Sequence, residues 1–183
     1  ASSAASDVYK RQVTIDSAIH IEKLLDDNEI DIALYEGVVP NKNYYQTDFA
    51  SYEISFIASA EHELAHKKKI PLSEIISQRL LLREKGSAIR ETFDSVMLLH
   101  NLKAEPVWTS VNSQPLIQGA LQNIGISVLP EIIVRRELAE GRLVKLDVDV
   151  KPMINHNYIL YHYGKHLSWP MQRLIAVINN HKD

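Results

Sequence analysis

The chain has 183 residues, of which 45% are hydrophobic and 23% are charged, and its formal net charge is −3. This composition excludes a disordered or collagen-like chain, and the near-neutral charge provides no overall positive field for nucleic acid. The sequence contains no cysteine, which excludes disulfides, thiolate metal sites and cysteine nucleophiles. No apolar run approaches the roughly 18 residues of a membrane span, and residues 1–12 lack the apolar segment of a secretion signal.

The first twelve residues differ in character from those that follow. Residues 1–6 contain only alanine and serine, and residues 7–12 (DVYKRQ) resemble the translation of a transposon adapter used in sequencing libraries. We expect residues 1–12 to be a non-native or disordered leader, the alternative being a natural flexible N-terminus. The fold is therefore expected to begin at Val13.

Apolar patterning then predicts the secondary structure in chain order. A β-prone run at 13–15 precedes Asp16 and Ser17, which are N-cap residue types, and an apolar stripe predicts a helix over 17–27. Further strands are predicted at 30–34, 51–59, 80–82, 106–111, 124–129, 143–148 and 157–162, and further helices after 71, from 87 to 100, and at 114–122, 130–141 and 168–181. Because strands alternate with helices, we expect an α/β fold with parallel βαβ units and helices on both faces of the sheet.

Five segments, in this order along the chain, carry a family resemblance. They are 29–34 (EIDIAL), 59–65 (SAEHELA), 82–90 (LREKGSAIR), 121–130 (LQNIGISVLP) and 137–144 (ELAEGRLV). Together they resemble the effector-binding domain of LysR-type transcriptional regulators, from Val13 to the C-terminus. Asn123 stands where the family usually has glycine, and asparagine tolerates a left-handed backbone better than other side chains do.

The resemblance implies an architecture and a division of the chain. We expect two Rossmann-like α/β subdomains joined by two crossover strands, as in type 2 periplasmic binding proteins, with the first strand–helix unit missing. The first effector-binding subdomain would comprise 13–58 plus 162–183, and the second would comprise 59–161. The winged helix-turn-helix of the family is absent from the sequence, so DNA and RNA polymerase would be partners only through that missing domain.

The turn after the predicted strand at 80–82 is the first candidate effector site. Gly86 permits a tight turn there, and Ser87 begins a helix whose first amides are free to bind an anion. Lys85 and Arg90 supply positive charge close to those amides. The pattern therefore predicts binding of a carboxylate, sulfate or phosphate group of an effector.

A second candidate site follows the next predicted strand. Asn112 and Ser113 precede a helix and direct hydrogen-bond donors toward its N-terminus, a place where doubly wound sheets bind ligands. The turn formed by Gly125, Ile126 and Ser127 would expose backbone to the same cleft.

Both helix starts also have a simpler interpretation. Ser87 would then only cap its helix while Arg83 and Glu84 pair on the surface, and Ser113 would only cap the following helix.

Glu36 ends a predicted strand of the first subdomain, and we expect it to face Ser87 across the cleft. The resemblance implies a small-molecule effector, and the helix start at Ser87 predicts an anionic or carboxylate-bearing one. Because Glu36 would repel an anion, it should bind an amine on the same effector or stay outside the pocket. An amino-acid-like zwitterion is therefore a further candidate.

His62, Glu63 and His66 match the zinc-hydrolase pattern H-E-x-x-H letter for letter. That pattern requires a sturdy helix, whereas a β-like run precedes it and three lysines and Pro71 follow it. We therefore expect neither a metal site nor catalysis at this motif.

The function expected from the resemblance is that of a cytoplasmic effector-binding and dimerisation domain of a bacterial LysR-type regulator, without enzymatic activity, cofactor or membrane contact. The full-length protein would form a homodimer or tetramer, pairing through the helix at 17–27 and the helix after Gly86. The alternatives are an extracytoplasmic solute-binding protein of the same fold and, as the least favoured, a zinc hydrolase through the histidine motif.

Overall fold

A computed structural model describes residues 12–39 and 43–180. The helices are α1 (Ala18–Asp26), α2 (Leu72–Ile76), α3 (Ala88–Leu99), α4 (Ser113–Leu121), α5 (Arg135–Ala139) and α6 (Trp169–Asn179). The strands are β1 (Ala33–Glu36), β2 (Tyr44–Ser59), β3 (Leu80–Arg83), β4 (Trp108–Ser110), β5 (Ile126–Pro130), β6 (Leu143–Lys145) and β7 (Met153–His162). The predicted leader, apart from Gln12, and the predicted end of the last helix at His181 lie outside the described residues.

The described strands form one sheet in the order β1-β7-β2-β5-β3-β4, and β6 pairs with β2 beside this path. Among the described strands, parallel pairing is confined to β3, which lies between β4 and β5, and outside the strands a single parallel bridge joins Ile70 to Val148. The other described pairings are antiparallel. The α/β class is therefore as predicted, but parallel units occupy only one end of the sheet.

Two long antiparallel strands cross the molecule. β2 and β7 pair from Tyr44 opposite His162 to Ile54 opposite Met153, with an irregular register between Asp48 and Ala50. Beyond this region, β2 continues into pairs with β5 and β6. The two strands thus connect the sheet end that carries β1 to the end that carries β3, as expected of crossover strands.

Three groups of buried side chains stabilise the sheet and its helices. Phe93 of α3 belongs to a large cluster that includes residues of β2, β3 and β5. Leu116 of α4 belongs to a second cluster with residues of the same three strands. Ile21 and Leu25 of α1 form a smaller, third cluster with β1, β2 and β7, because their spacing of four places them on one face of the helix.

Several predicted elements differ from the structure. Residues 13–15 form no strand: none of the described strands pairs with them, and Val13 and Ile15 are 88% and 92% exposed. The predicted helix at 130–141 is a short 3-10 helix, Glu131–Val134, followed by α5. Pro130 does not begin it, because this residue still pairs with Ile54 as the last residue of β5.

Strand boundaries shifted for a common reason, which is hydrogen bonding to a partner strand rather than apolar content. β2 begins at Tyr44, well before the predicted 51–59, since polar residues between them pair with β7. β1 occupies 33–36 rather than 30–34, and β6 ends at Lys145 rather than at 148. None of the helices in the described ranges is long and apolar enough to span a bilayer.

Candidate functional site

A pocket of about 160 Å³ lies between the starts of α1 and α3. We call it the cleft pocket. Its first wall comes from α1, the residues before it and β1, and its second wall from the end of β3 and the start of α3. The lining residues are Asp16, Ser17, Ala18, Ile21, Leu34, Tyr35 and Glu36 of the first wall and Arg83, Glu84, Ser87, Ala88 and Ile89 of the second wall.

The start of α3 presents backbone donors to the cleft pocket. Ser87 is its N-cap, accepting a hydrogen bond from the Arg90 amide at 3.2 Å and donating to the Glu84 carbonyl at 3.1 Å. The amides of Ala88 and Ile89 lie in the first turn, where a helix has no carbonyl of its own to offer them. These amides and the helix dipole make this end of α3 favourable for an anion.

The start of α1 is different because a carboxylate already occupies it. The Ser17 amide donates to the Asp16 carboxylate at 2.7 Å, and the Ser17 hydroxyl accepts from the His20 amide at 3.4 Å. Asp16 also lies 2.6 Å from Nδ1 of His20, and this hydrogen bond lowers the pKa of Asp16. Of the two helix starts, the one at Ser87 is therefore better placed to receive an external anion.

Two glycines bring the walls into contact. Gly37 follows β1 with a φ of +98°, and a Cβ there would lie 2.9 Å from the Cβ of Ala88. Gly86 has a φ of +89°, and a Cβ there would lie 3.4 Å from the side chain of Ile19. Both positions combine a left-handed backbone with a close approach, which is why glycine suits them.

Arg83 and Glu84 form a bidentate ion pair inside the cleft pocket. Nε of Arg83 donates to Oε2 of Glu84 at 2.8 Å, and Nη2 donates to Oε1 at 3.0 Å. Nη1 donates to the Ser113 hydroxyl at 3.3 Å. This is the pair that the simpler interpretation placed on the surface, but the two side chains are only 19% and 27% exposed and line the pocket.

Glu36 faces Arg83 from the first wall. Burial raises the pKa of Glu36, and the positive charge of Arg83 and a hydrogen bond from Asn155 oppose this effect. Asn155 is itself buried, accepts from the Thr92 hydroxyl and donates to the Tyr52 hydroxyl at 3.0 Å. The two crossover strands and α3 therefore position a carboxyl whose protonated form burial favours.

Two predicted site residues beside Ser87 do not line the cleft pocket. Lys85 is exposed, and Arg90 is only 5% exposed. The Arg90 guanidinium donates to the Asp94 carboxylate at 2.8 Å and to the Arg83 carbonyl at 3.2 Å. Its charge is thus used to hold the end of β3 against α3.

The residues of the second candidate site do not lie together. Some support the pocket from behind, and the others lie away from it. Asn112, rather than Ser113, caps α4, accepting from the Gln114 amide at 2.9 Å. Ser113 reaches the pocket only through its contact with Arg83.

The Gly125–Ser127 turn lies within the sheet and away from the pocket lining. A Cβ on Gly125 would lie 2.1 Å from the Arg79 carbonyl, so the position requires glycine for packing. Ile126 and Ser127 are both fully buried, and the Ser127 hydroxyl donates to the Leu81 carbonyl at 2.9 Å. Of the predicted residues, the structure brings together Glu36 and Ser87 in the pocket lining and leaves the others behind or outside it.

The histidine motif occupies a series of turns rather than a helix. The Leu64 amide donates to Nδ1 of His62 at 3.2 Å, and burial lowers the pKa of His62. In the described ranges, no three potential metal-ligating side chains come together. The geometry that would place His62 and His66 on one helical face is therefore missing.

Comparison with protein families matches residues 10–183 to the LysR substrate binding domain. The chain belongs to this family. Curated LysR-type relatives include the transcriptional activator CmpR of Synechocystis, 28% identical over 85% of this chain and 52% of that protein. The regulator CbbR of Rhizobium meliloti is 32% identical over 70% of this chain and 42% of that protein. The chain thus spans about half the length of the curated relatives it matches.

Solved structures of other LysR-type domains are similar to this one. The Synechocystis CcmR regulatory domain in complex with 2-PG matches with a TM-score of 0.84 and 23% identity, over 94% of this chain and 83% of that one. The effector-binding domain of QuiR in complex with shikimate matches with a TM-score of 0.77 and 16% identity, over 91% and 78%. At this identity the likeness establishes the fold, and it confirms the expected type 2 periplasmic binding protein-like architecture of the LysR family.

Proposed function

We propose that the chain is the effector-binding domain of a LysR-type transcriptional regulator and takes a small molecule into the cleft pocket. The observation that carries this proposal is the pocket itself, which lies between two walls of a domain of this family and has an open helix start at Ser87. An effector that contacts both walls would favour one relative arrangement of them, which is the change that a linked DNA-binding domain could respond to.

The effector that fits this pocket best carries a carboxylate or another anionic group. The amides of Ala88 and Ile89 would receive that group, and the Ser87 hydroxyl would join them by turning away from the Glu84 carbonyl to which it now donates. Gly86 allows the turn that presents these donors. Glu36 on the first wall would accept from an ammonium or hydroxyl on the same molecule. An amino-acid-like zwitterion satisfies both walls. The relatives with 2-PG and with shikimate supply two compounds to try first.

The remaining predicted residues receive supporting roles in this proposal. Arg90 and Ser113 hold Arg83 in place, and Lys85 adds positive charge outside the pocket. Asn112 fixes the start of α4, while Gly125, Ile126 and Ser127 keep the sheet beneath the pocket closed.

We further propose the two subdomains 13–58 plus 162–183 and 59–161, with residues 1–12 outside both. The separation of the small cluster under α1 from the two clusters around β3 and β5 supports this division. The full-length regulator would act as a cytoplasmic homodimer or tetramer and would reach DNA and RNA polymerase through its DNA-binding domain.

Family membership favours this function over an extracytoplasmic solute-binding protein, and the turns at His62 argue against a zinc hydrolase. We therefore propose a role without catalysis. Titration of the metal-free protein with zinc, with peptidase activity as a second readout, checks this. Stoichiometric micromolar binding that His62→Ala abolishes would contradict it.

A ligand screen by thermal unfolding tests the proposed function. A ligand present at 100 times its Kd should add about 2.7 kcal/mol to the free energy of unfolding. The screen should include 2-PG, shikimate and amino acids. With any compound that stabilises the protein, Ser87→Ala should weaken binding by about 1–3 kcal/mol, because it leaves a buried polar group without its partner.

Ser95→Ala is the matched control for this screen. Ser95 lies on the same helix, and its hydroxyl donates only to the Glu91 carbonyl outside the pocket lining. It should leave ligand affinity unchanged. Equal affinities of Ser87→Ala and the unchanged protein would place the effector elsewhere and reject the assignment of this pocket.

A further inference from the structure

We propose that Arg83 is the anion-binding side chain of the cleft pocket, and that Glu84 occupies it until an anionic group of the effector takes its place. This inference rests on the proposed function, because it assigns chemistry within the same pocket. It adds a specificity-determining pair, since the effector must compete with an internal carboxylate.

The geometry of the pair is that of a bound ligand. Two parallel N–H···O bonds of 2.8 and 3.0 Å join the Nε–Nη2 edge of Arg83 to the two carboxylate oxygens of Glu84. A guanidinium makes the same arrangement with an external carboxylate or phosphate. Both side chains line the cleft pocket, so an effector in the pocket can reach the edge that Glu84 now uses.

The rest of Arg83 is held from behind. Its Nη1 donates to the Ser113 hydroxyl at 3.3 Å, and its carbonyl accepts from Nη1 of Arg90 at 3.2 Å. Arg90 is in turn fixed by the Asp94 carboxylate at 2.8 Å. With the backbone and one nitrogen anchored, exchange of the carboxylate requires movement of the Glu84 side chain and not of Arg83.

Charge explains why such an exchange is needed. Among the described residues that line the pocket, Arg83 is the only basic one, whereas Asp16, Glu36 and Glu84 are acidic. An anion added to the pocket with every carboxylate in place would be repelled. Replacing Glu84 on Arg83 keeps the guanidinium neutralised and moves one negative charge out of the pocket.

The exchange defines a ligand chemistry. An oxyanion that accepts two parallel hydrogen bonds, such as a carboxylate or a phosphate, can replace the Glu84 carboxylate with the same two hydrogen bonds to Arg83. A halide or a neutral hydroxyl compound makes one bond where Glu84 makes two, and so does not displace it. The effector class is therefore that of small carboxylates and phosphates.

The test uses inorganic phosphate as the probe. Phosphate is titrated into the protein at constant ionic strength, and sodium chloride is the comparison salt. Binding is followed by NMR through the backbone amides of Ala88 and Ile89. Glu84→Gln should bind phosphate about fivefold to tenfold more tightly than the unchanged protein, because the competing carboxylate is gone. Arg83→Gln should lose saturable binding. Arg83→Lys should bind phosphate several times more weakly than the unchanged protein, since lysine keeps the charge without the fork.

Glu91→Gln is the matched control, because Glu91 lies in the first turn of α3, is exposed and does not line the pocket. It removes the same charge, and its phosphate affinity should stay within about twofold of the unchanged protein. Amide signals outside the pocket report that each variant is folded.

The failures of the two proposals can be told apart. Suppose that phosphate shifts the NMR signals of the Ala88 and Ile89 amides saturably in the unchanged protein, while Glu84→Gln binds with equal affinity or Arg83→Lys keeps its affinity. Either result would overturn the exchange and leave the pocket assignment standing. Amides that move in none of the variants, Glu84→Gln included, would overturn both.

Discussion

The two walls of the cleft pocket differ in the size of the buried cluster behind each of them. Behind the second wall, α3 packs Phe93 into the largest buried cluster of the described residues. Behind the first wall, α1 packs Leu25 into a small cluster, while Ile19, Leu34 and Val38 are 68%, 56% and 85% exposed. On the second wall, α3 also exposes Leu98 and Leu99, by 76% and 81%, so the difference lies in the buried clusters. We expect the first wall, which has the smaller cluster, to open more easily than the second. A ligand that contacts both should therefore order the first wall more than the second.

The largest effect should come from the second wall. Phe93 is fully buried and packs edge to face against Phe56, with ring centroids 6.2 Å apart. Phe93→Ala should lower the free energy of unfolding by about 3–5 kcal/mol, measured by urea denaturation, because it leaves a cavity in the large cluster. Leu98→Ala, on the same helix but 76% exposed, should change it by less than about 0.5 kcal/mol. Similar values for the two variants would remove the distinction between core and surface on this wall.

Leu25→Ala makes the corresponding change in the first wall. The expected loss is about 2 kcal/mol, at the lower end for such substitutions, because a small cluster with exposed neighbours can relax around the space. Hydrogen exchange should accelerate in α1 and β1 and stay unchanged in α3 and β3. Ile19→Ala on the exposed face of α1 is the control. Equal loss of protection in both walls would show one cooperative unit and contradict the comparison.

The contact between the walls can be probed at Gly37. Gly37→Ala places a methyl group 2.9 Å from the Cβ of Ala88 and forces a left-handed backbone on alanine. Gly141 also has a positive φ, of +67°, but an added Cβ meets nothing within 4 Å. Gly37→Ala should therefore cost roughly 1 kcal/mol more than Gly141→Ala, which carries only the backbone strain. Equal costs would mean that the walls separate without loss at this point.

The elements that follow local rules were predictable from sequence. The N-cap at Ser17, the helix that follows it and the cap at Ser87 appear as expected, since capping and helical spacing act within a few residues. The expected apolar stripe of α1 was wrong in part, because Ile19 is 68% exposed and Ile21 is buried in its place. Asn123 has a φ of +52°, in agreement with the expectation that asparagine accepts a left-handed backbone there. The predicted limits of the strands were wrong where pairing with another strand decides them. The extension of β2, for example, depends on β7, which lies about a hundred residues away in sequence.

The candidate site was predictable only in part, for the same physical reason. Spacing could indicate that a helix starts at Ser87 and that Glu36 ends a strand, and the structure places both in the cleft pocket. It could not indicate that Asp16 faces them, because that requires knowing which helix starts meet in space. Spacing also could not indicate that the Arg90 guanidinium binds Asp94 and the Arg83 carbonyl, while the side chain of Arg83 lines the pocket.

The smallest expected effect is the dependence of stability on pH, which has opposite signs for the carboxyls of Glu36 and Glu131. Burial raises the pKa of Glu36 above its ordinary value of 4.5, so the native state keeps a proton that the unfolded state has lost, and stability falls as pH rises from 4.5 through the raised value. Glu131 behaves in the opposite way. Hydrogen bonds from Lys145 and from Ser55, at 2.6 Å, lower its pKa, so it stabilises the native state above 4.5 and that contribution is lost as pH falls through the lowered value.

Glu36→Gln should therefore raise the free energy of unfolding at about pH 7 and leave it unchanged below pH 4.5, where the carboxyl is protonated in both states. Glu131→Gln should lower the free energy of unfolding at about pH 7. Urea denaturation at several pH values separates the two. Partial exposure keeps each difference below about 1 kcal/mol. A lower free energy of unfolding for Glu36→Gln at neutral pH would mean that Glu36 is not a desolvated carboxyl, and that the first wall is more open to water than the burial of Glu36 indicates.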